Sequence, residues 1–132
     1  MSTHTAEIDV RFRDIDAMGH VNNAVYATYV EQARTLYFRD VLDADISRVS
    51  TVLASLSLDF RRSVELTDGA VTVTSDVVEI GRSSVTMTHE VRTGDTVAAE
   101  AEATLVSLDP DSGTPAPVPE AYRSAMESYH GL

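Results

Sequence analysis

An α+β fold is what the sequence predicts, with a five-stranded antiparallel sheet and one long helix covering a face of it. Three observations lead there. A single long stretch carries the helical apolar period, a strand-like stretch precedes it, and four strand-like stretches follow it in succession with turn residues between them. Strands that follow one another without helices between them pair antiparallel, whereas a parallel sheet needs a crossover between each pair.

Ile8, Val10 and Phe12 alternate with Asp9, Arg11 and Arg13, the two-residue period of a half-buried strand, so a first strand is predicted over 6–14. Asp16, Gly19, Asn22 and Asn23 then form a cluster of turn and capping residues. Tyr26, Tyr29, Val30, Ala33, Leu36 and Tyr37 lie on one face of an amphipathic helix running from Asn23 to about Val41. After the polar connection through Asp43, Asp45 and Ser47, Val52, Ala54, Leu56, Leu58 and Phe60 alternate with polar residues and are expected to face the helix. Leu53 breaks that alternation, and a contact with a second subunit would explain it.

Thr67, Asp68 and Gly69 predict a turn, 71–80 a β-branched strand, Gly81 and Arg82 a hairpin connection, and 83–92 the next strand. Thr93, Gly94 and Asp95 turn the chain into a last strand. Its inward residues Val97, Ala99, Ala101, Ala103 and Leu105 include small alanines that let a helix approach. From Asp109 the composition shifts to a stiff, proline-rich segment, with a short helix expected from Pro119 and Glu120 to about Tyr129. There is no internal repeat, and 1–132 reads as one domain.

Composition excludes several functions. The formal net charge of -11 disfavours nucleic acid, which wants a basic footprint. No apolar run approaches a membrane span, and Met1 to Glu7 lack a basic-then-apolar signal pattern, so a soluble, cytoplasmic protein is expected. With no cysteine, thiol chemistry, disulfides and thiolate-ligated metals are ruled out. All ten basic residues are arginine. A GC-rich coding bias accounts for that by itself; together with the acidic excess it resembles the proteins of salt-accumulating microbes, and a halophilic protein is expected.

Chemistry concentrates between the first strand and the long helix. A helix leaves its first N–H groups without intrahelical partners, and its dipole makes that end mildly positive, a place for a polarised carbonyl oxygen. A carboxylate just before the helix, on Asp16 or Asp14, would face the same spot as a nucleophile or base. The plainer role of either aspartate is to cap the turn. A metal between the two is not expected, since Ala17, Met18 and Gly19 supply no further ligands.

Asp16, Gly19, His20, Val21, Asn22, Asn23 and Tyr26, followed by Tyr29, Glu31, Ala33 and Arg34, resemble the signature of the hot-dog acyl-CoA thioesterases of the 4-hydroxybenzoyl-CoA thioesterase-like family. The likeness extends to Arg82–Val85 and to the tail from Asp109 to Glu120, and it departs from the family at Ser63 and at Thr67 and Asp68. The resemblance implies a hot-dog fold, with the sheet wrapped around the helix, in a homodimer or homotetramer that hydrolyses acyl-CoA without a metal or redox cofactor. It implies Asp16 as nucleophile or base and the backbone N–H of Asn23 as the group polarising the thioester oxygen. His20 is the alternative base, its plain role a turn residue. Glu31 is a secondary candidate, its plain role an ion pair with Arg34. Gly19, Val21 and Asn22 would line the substrate, Tyr26 the acyl pocket, and Arg61, Arg62 and Arg82 would hold coenzyme A phosphates, each otherwise a solvated arginine. His89 reads as a core or interface histidine, and His4 and His130 as tail residues. A hot-dog hydratase or dehydratase and a non-catalytic acyl-CoA-binding module are the alternatives.

Overall fold

The computed structural model describes residues 2–132; Met1, the start of the segment expected to lack a signal, lies outside the described residues. Five strands form one antiparallel sheet: β1 (His4–Asp9), β2 (Thr51–Phe60), β3 (Ala70–Ile80), β4 (Ser84–Thr93) and β5 (Thr96–Ser107), in the order β1-β3-β4-β5-β2. The long helix α1 (Asn23–Asp40) packs over β1, β3 and β4, and a short helix α2 (Glu120–His130) closes the chain.

The helix bounds agree with the sequence because its caps are local. Asn22 is extended, its side-chain oxygen accepts the N–H of Ala24, and Val41 closes onto the carbonyl of Tyr37. The proline-rich segment is held extended alongside β5 and the β3–β4 connection, where Ala116 N–H donates to Ser107 O and Val118 N–H to Arg82 O.

Four expectations are corrected. The first strand ends at Asp9, not Asp14, because the Asp14 carboxylate accepts the N–H of Arg11 and folds Phe12–Asp14 into a 3-10 turn. Phe12, expected on the buried face, is therefore 82% exposed. Strands that follow one another do not all pair: β2 pairs with β5 rather than with β3, and residues 61–69 carry the chain across the sheet.

The irregularity at Leu53 comes from a bulge. The register of β2 on β5 slips between Leu53 and Ser55, so Leu53 lies opposite Leu105 while Leu56, Leu58 and Phe60 lie opposite Ala103, Ala101 and Ala99. One unpaired residue reverses the parity, placing Leu53 on the core side and Val52 opposite Val106 on the other. The core-side row of β2 is still open, with Leu53 42% and Phe60 45% exposed, because α1 lies over the other strands.

The fourth correction concerns the histidines expected in tails. His4 is buried in β1 with Nε2 2.9 Å from Asp40, and His130 is buried at the end of α2, with Nε2 2.8 Å from the Tyr37 hydroxyl and Nδ1 3.0 Å from Ser2 O. These bonds tie both ends of the described chain to α1.

The core has two apolar clusters. One gathers Tyr26, Tyr29, Val30 and Ala33 with Val71, Val73, Val91 and Ala99; the other gathers Tyr37, Val77, Met87 and Leu105 with Val118 and Met126. Between them in sequence register lie the buried polar residues Ser75, His89 and Arg34. His89 Nδ1 is 3.1 Å from Thr74 O, a carbonyl that only accepts, so the Nδ1–H tautomer donates there. That leaves Nε2 as an acceptor without a partner, and Arg34 Nη1 is a buried donor without one.

Candidate active site

The chain between β1 and α1 is a closed turn. Ile15 and Val21 form an antiparallel bridge, Asp16 N–H donates to His20 O at 2.9 Å, Gly19 N–H donates to Asp16 O at 3.0 Å, and Gly19 takes the left-handed φ of +83° that the turn requires. Val21 is buried and its N–H reaches Val64 O at 2.8 Å, which docks the turn on the segment entering β3. Asn22 N–H donates to Asp14 O, so the end of the 3-10 turn meets the cap of α1.

The two aspartates have become different groups. Asp14 is only 2% exposed, and its carboxylate accepts the N–H and guanidinium of Arg11 and the hydroxyl of Tyr29, at 2.9 to 3.1 Å for the close bonds. Burial alone would raise its pKa, but those hydrogen bonds outweigh it and hold the carboxyl below its ordinary value. Asp16 is half-buried; Oδ1 accepts the N–H of Met18 at 2.9 Å, the turn-capping role, and Oδ2 has no hydrogen-bond partner among the described residues. The N–H of Asn23, the first of α1, likewise has no acceptor among the described residues. An unpartnered carboxylate oxygen and an open helix N-terminus thus flank one bridge.

The remaining candidates divide. Tyr26 is buried beside this end, its ring 5.1 Å from Phe60 and its hydroxyl 3.4 Å from Arg62 O. His20 is half-buried and leans toward Glu65, with Nε2 4.0 Å from Oε1. Glu31 is exposed and lies eight residues into α1, about 12 Å along the axis from Asn23. Its expected ion pair with Arg34 is absent among the described residues; Arg34 is buried, 5% exposed, with no side-chain partner. Arg61 pairs with Glu100 at 2.9 Å, while Arg62 lines a polar hollow with Ser63, Glu65 and Asp68 at the site end. Arg82 sits in the β3–β4 connection at the far end of the sheet, so one chain does not bring the three arginines together.

Sequence reading missed the depth of the second apolar cluster. Phe38 near the end of α1, Leu42 just beyond it, and Tyr122 and Met126, four apart on α2, line a pocket of about 220 Å³. The helical spacing of Tyr122 and Met126 was the available signal, but only the fold shows that these residues face one space.

A family profile for a thioesterase-like superfamily matches residues 10–126. The chain belongs to the thioesterase-like superfamily. Its backbone superposes on a thioesterase from Thermus thermophilus, solved with coenzyme A and zinc, at a TM-score of 0.88 and 38% identity, covering 97% of this chain and 94% of that one. A Synechocystis 1,4-dihydroxy-2-naphthoyl-CoA thioesterase shares the fold at a TM-score of 0.82 and 20% identity, covering 95% and 96% of the two chains. The Bacillus subtilis protein YsmA is 34% identical over 59 residues, a match spanning 44% of this chain and 40% of that protein.

Family and fold together place this superfamily member among the hot-dog thioester hydrolases. Among its described residues no three His, Asp or Glu side chains gather as a metal site, and no helix is long and apolar enough to cross a membrane.

Proposed function

We propose that this protein hydrolyses an acyl-CoA thioester to a free acid and coenzyme A, with Asp16 as the reactive carboxylate and the N–H of Asn23 as the clamp on the thioester oxygen. The observation that carries the reading is the pairing of an unoccupied Asp16 Oδ2 with an unoccupied helix-end N–H on either side of the Ile15–Val21 bridge. As a base, Asp16 takes a proton from water as its oxygen adds to the carbonyl; as a nucleophile, it adds itself and water opens the resulting anhydride. Either way the C–S bond breaks, the sulfur leaves as thiolate and is protonated, and negative charge grows on the oxygen facing α1. Asp14 supports neither role, since its oxygens are held by Arg11 and Tyr29. The reading uses no metal.

The assembly we infer is a homodimer through the open edge of β2, which would cover Leu53, Leu56, Leu58 and Phe60. Arg62 is the cation best placed for a coenzyme A phosphate, having its guanidinium unpaired among the described residues at the site end. A cytoplasmic location agrees with such a substrate.

The test is thiol release from acyl-CoAs in molar potassium chloride, parent against Asp16→Asn. That swap keeps the shape and the Met18 bond while removing the charge, and a loss of about 10²–10⁴-fold with coenzyme A binding kept is expected. Unchanged turnover would overturn the assignment of Asp16. A parent that binds coenzyme A but turns over no thioester would be a binding module.

A further inference from the structure

The two groups assigned to the thioester sit on different elements. Asp16 lies on a short ladder, in which its N–H bonds His20 O, Ile15 bridges Val21, and Asn22 N–H bonds Asp14 O. The N–H of Asn23 belongs to α1, and its direction follows the helix axis. One joint stands between them: Asn22, extended at φ -61° and ψ 139°, with helix beginning at the next residue. The ladder fixes how far apart its two arms run. It does not fix how α1 is turned about Asn22, and that turn decides where the Asn23 N–H points relative to Asp16.

The Asp14 side chain crosses this joint. Its carboxylate meets the hydroxyl of Tyr29, which donates to Oδ2 at 2.9 Å. Tyr29 lies six residues beyond Asn23, about 9 Å along the helix axis. Long side chains on a helix lean toward its N-terminus, so the tyrosine reaches back over the first turns. Asp14 thus holds α1 at two places, by its carbonyl at the cap and by its carboxylate farther along. A body held at two separated points cannot swing about one of them. The tie is also stiff: Tyr29 and Asp14 are both buried, and Arg11 adds its N–H at 2.9 Å and its guanidinium at 3.1 Å to the same carboxylate. A buried carboxylate costs stability unless it is satisfied this fully, and filling space alone would be met by an apolar side chain.

We propose that Asp14 is a positioning residue for the thioesterase reaction: by tying Tyr29 to the ladder, it sets the Asn23 N–H against the Asp16 carboxylate. The inference rests on the function proposed above and adds Asp14 and Tyr29 to the residues on which the rate depends. Both act through the geometry of attack, where a misplacement of about 1 Å costs on the order of 100-fold. Binding of coenzyme A away from the reacting carbonyl is left alone, so the loss falls on kcat and not on KM.

Tyr29→Phe tests this, because it removes one oxygen and keeps the ring. Tyr37→Phe is the control. Tyr37 lies on the same helix, fully buried, with its hydroxyl 2.8 Å from His130 and about 12 Å farther from the site along the axis. Each variant loses one buried hydrogen bond, so each should melt below the parent. Only Tyr29→Phe is expected to lower kcat, by about tenfold or more per folded molecule, with KM and the affinity for coenzyme A within about twofold of the parent. Turnover is read well below both melting temperatures, with the folded fraction taken from near-ultraviolet circular dichroism. Asp14→Asn should lower kcat further, and adding Tyr29→Phe to it should cost much less than in the parent, because the hydroxyl acts through that carboxylate. Tyr29→Phe against Tyr37→Phe decides the matter even where Asp14→Asn fails to fold. An unchanged kcat in Tyr29→Phe, or an equal loss in both tyrosine variants, would overturn the positioning role and leave Asp16 and Asn23 assigned. Full additivity of the two changes would overturn the route through Asp14. A parent inactive on every thioester would overturn the proposed function and this inference with it.

Discussion

Asp14 and Asp16 are two residues apart with the same parity, yet one is a structural anion and the other is open to chemistry. The difference comes from Tyr29, which reaches Asp14 across the first turns of α1, and from Arg11, whose N–H and guanidinium complete its ligands. His89 is the corresponding case in the core. Burial first, then the nearby charge of Arg34, lowers its pKa from 6.5 to about 4, against a smaller opposing effect of the Thr74 carbonyl. Above pH 6.5 both folded and unfolded forms are neutral, and the group leaves stability unchanged. As pH falls from 6.5 toward 4 the unfolded chain takes a proton that the folded chain refuses, so stability is lost across that window, by about 3 kcal/mol when complete. Denaturant titrations at pH 7 and pH 4 should show that loss, and His89→Gln should flatten it; a parent with equal stability at both values would refute the buried neutral histidine.

At the scale of elements, β2 is the one whose partner matters most. Its alternation was legible in the sequence, and Leu56, Leu58 and Phe60 do meet α1, but that cover is partial, with Leu53 and Phe60 left exposed. A strand's parity is a local property, whereas which strand it pairs with and which helix overlies it depend on the path of residues 61–69. The bulge at Ala54 is equally nonlocal, since it shows only in the register against β5. A charge placed at Leu53, on the open core-side row, should block the joining of two edges. Leu53→Lys is expected to sediment as a monomer and to lose turnover although Asp16 is untouched. A Leu53→Lys protein that stays dimeric would place the interface elsewhere.

For the whole molecule, charge decides. Much of the excess lies on the outer face of the sheet, where Asp59, Asp76, Glu90, Glu100 and Glu102 surround one polar hollow. Arg61 and Arg92 offset only two of these carboxylates, through Glu100 and Glu90. At low ionic strength such a face repels itself, and at molar salt the repulsion is screened within about 3 Å. The melting temperature is therefore expected to rise from dilute buffer to molar potassium chloride, with dimers lost first at low salt. Equal melting temperatures in the two buffers would assign the lysine-free composition to coding bias.

By itself the sequence determined the helix and its caps, the five strands, the second helix and the turn that carries Asp16 and Asn23. These are set by interactions between residues close along the chain: Asn22 with Ala24, Asp16 with Met18, Gly19 in its turn. Only the tertiary structure decided which aspartate is occupied, which edge of the sheet is open, that His4 and His130 are buried, and that Phe38, Leu42, Tyr122 and Met126 line one pocket. The physical reason is the same in each case. Those outcomes depend on groups tens of residues apart in sequence, and a periodic pattern records that a residue has an apolar side without recording what comes to lie against it.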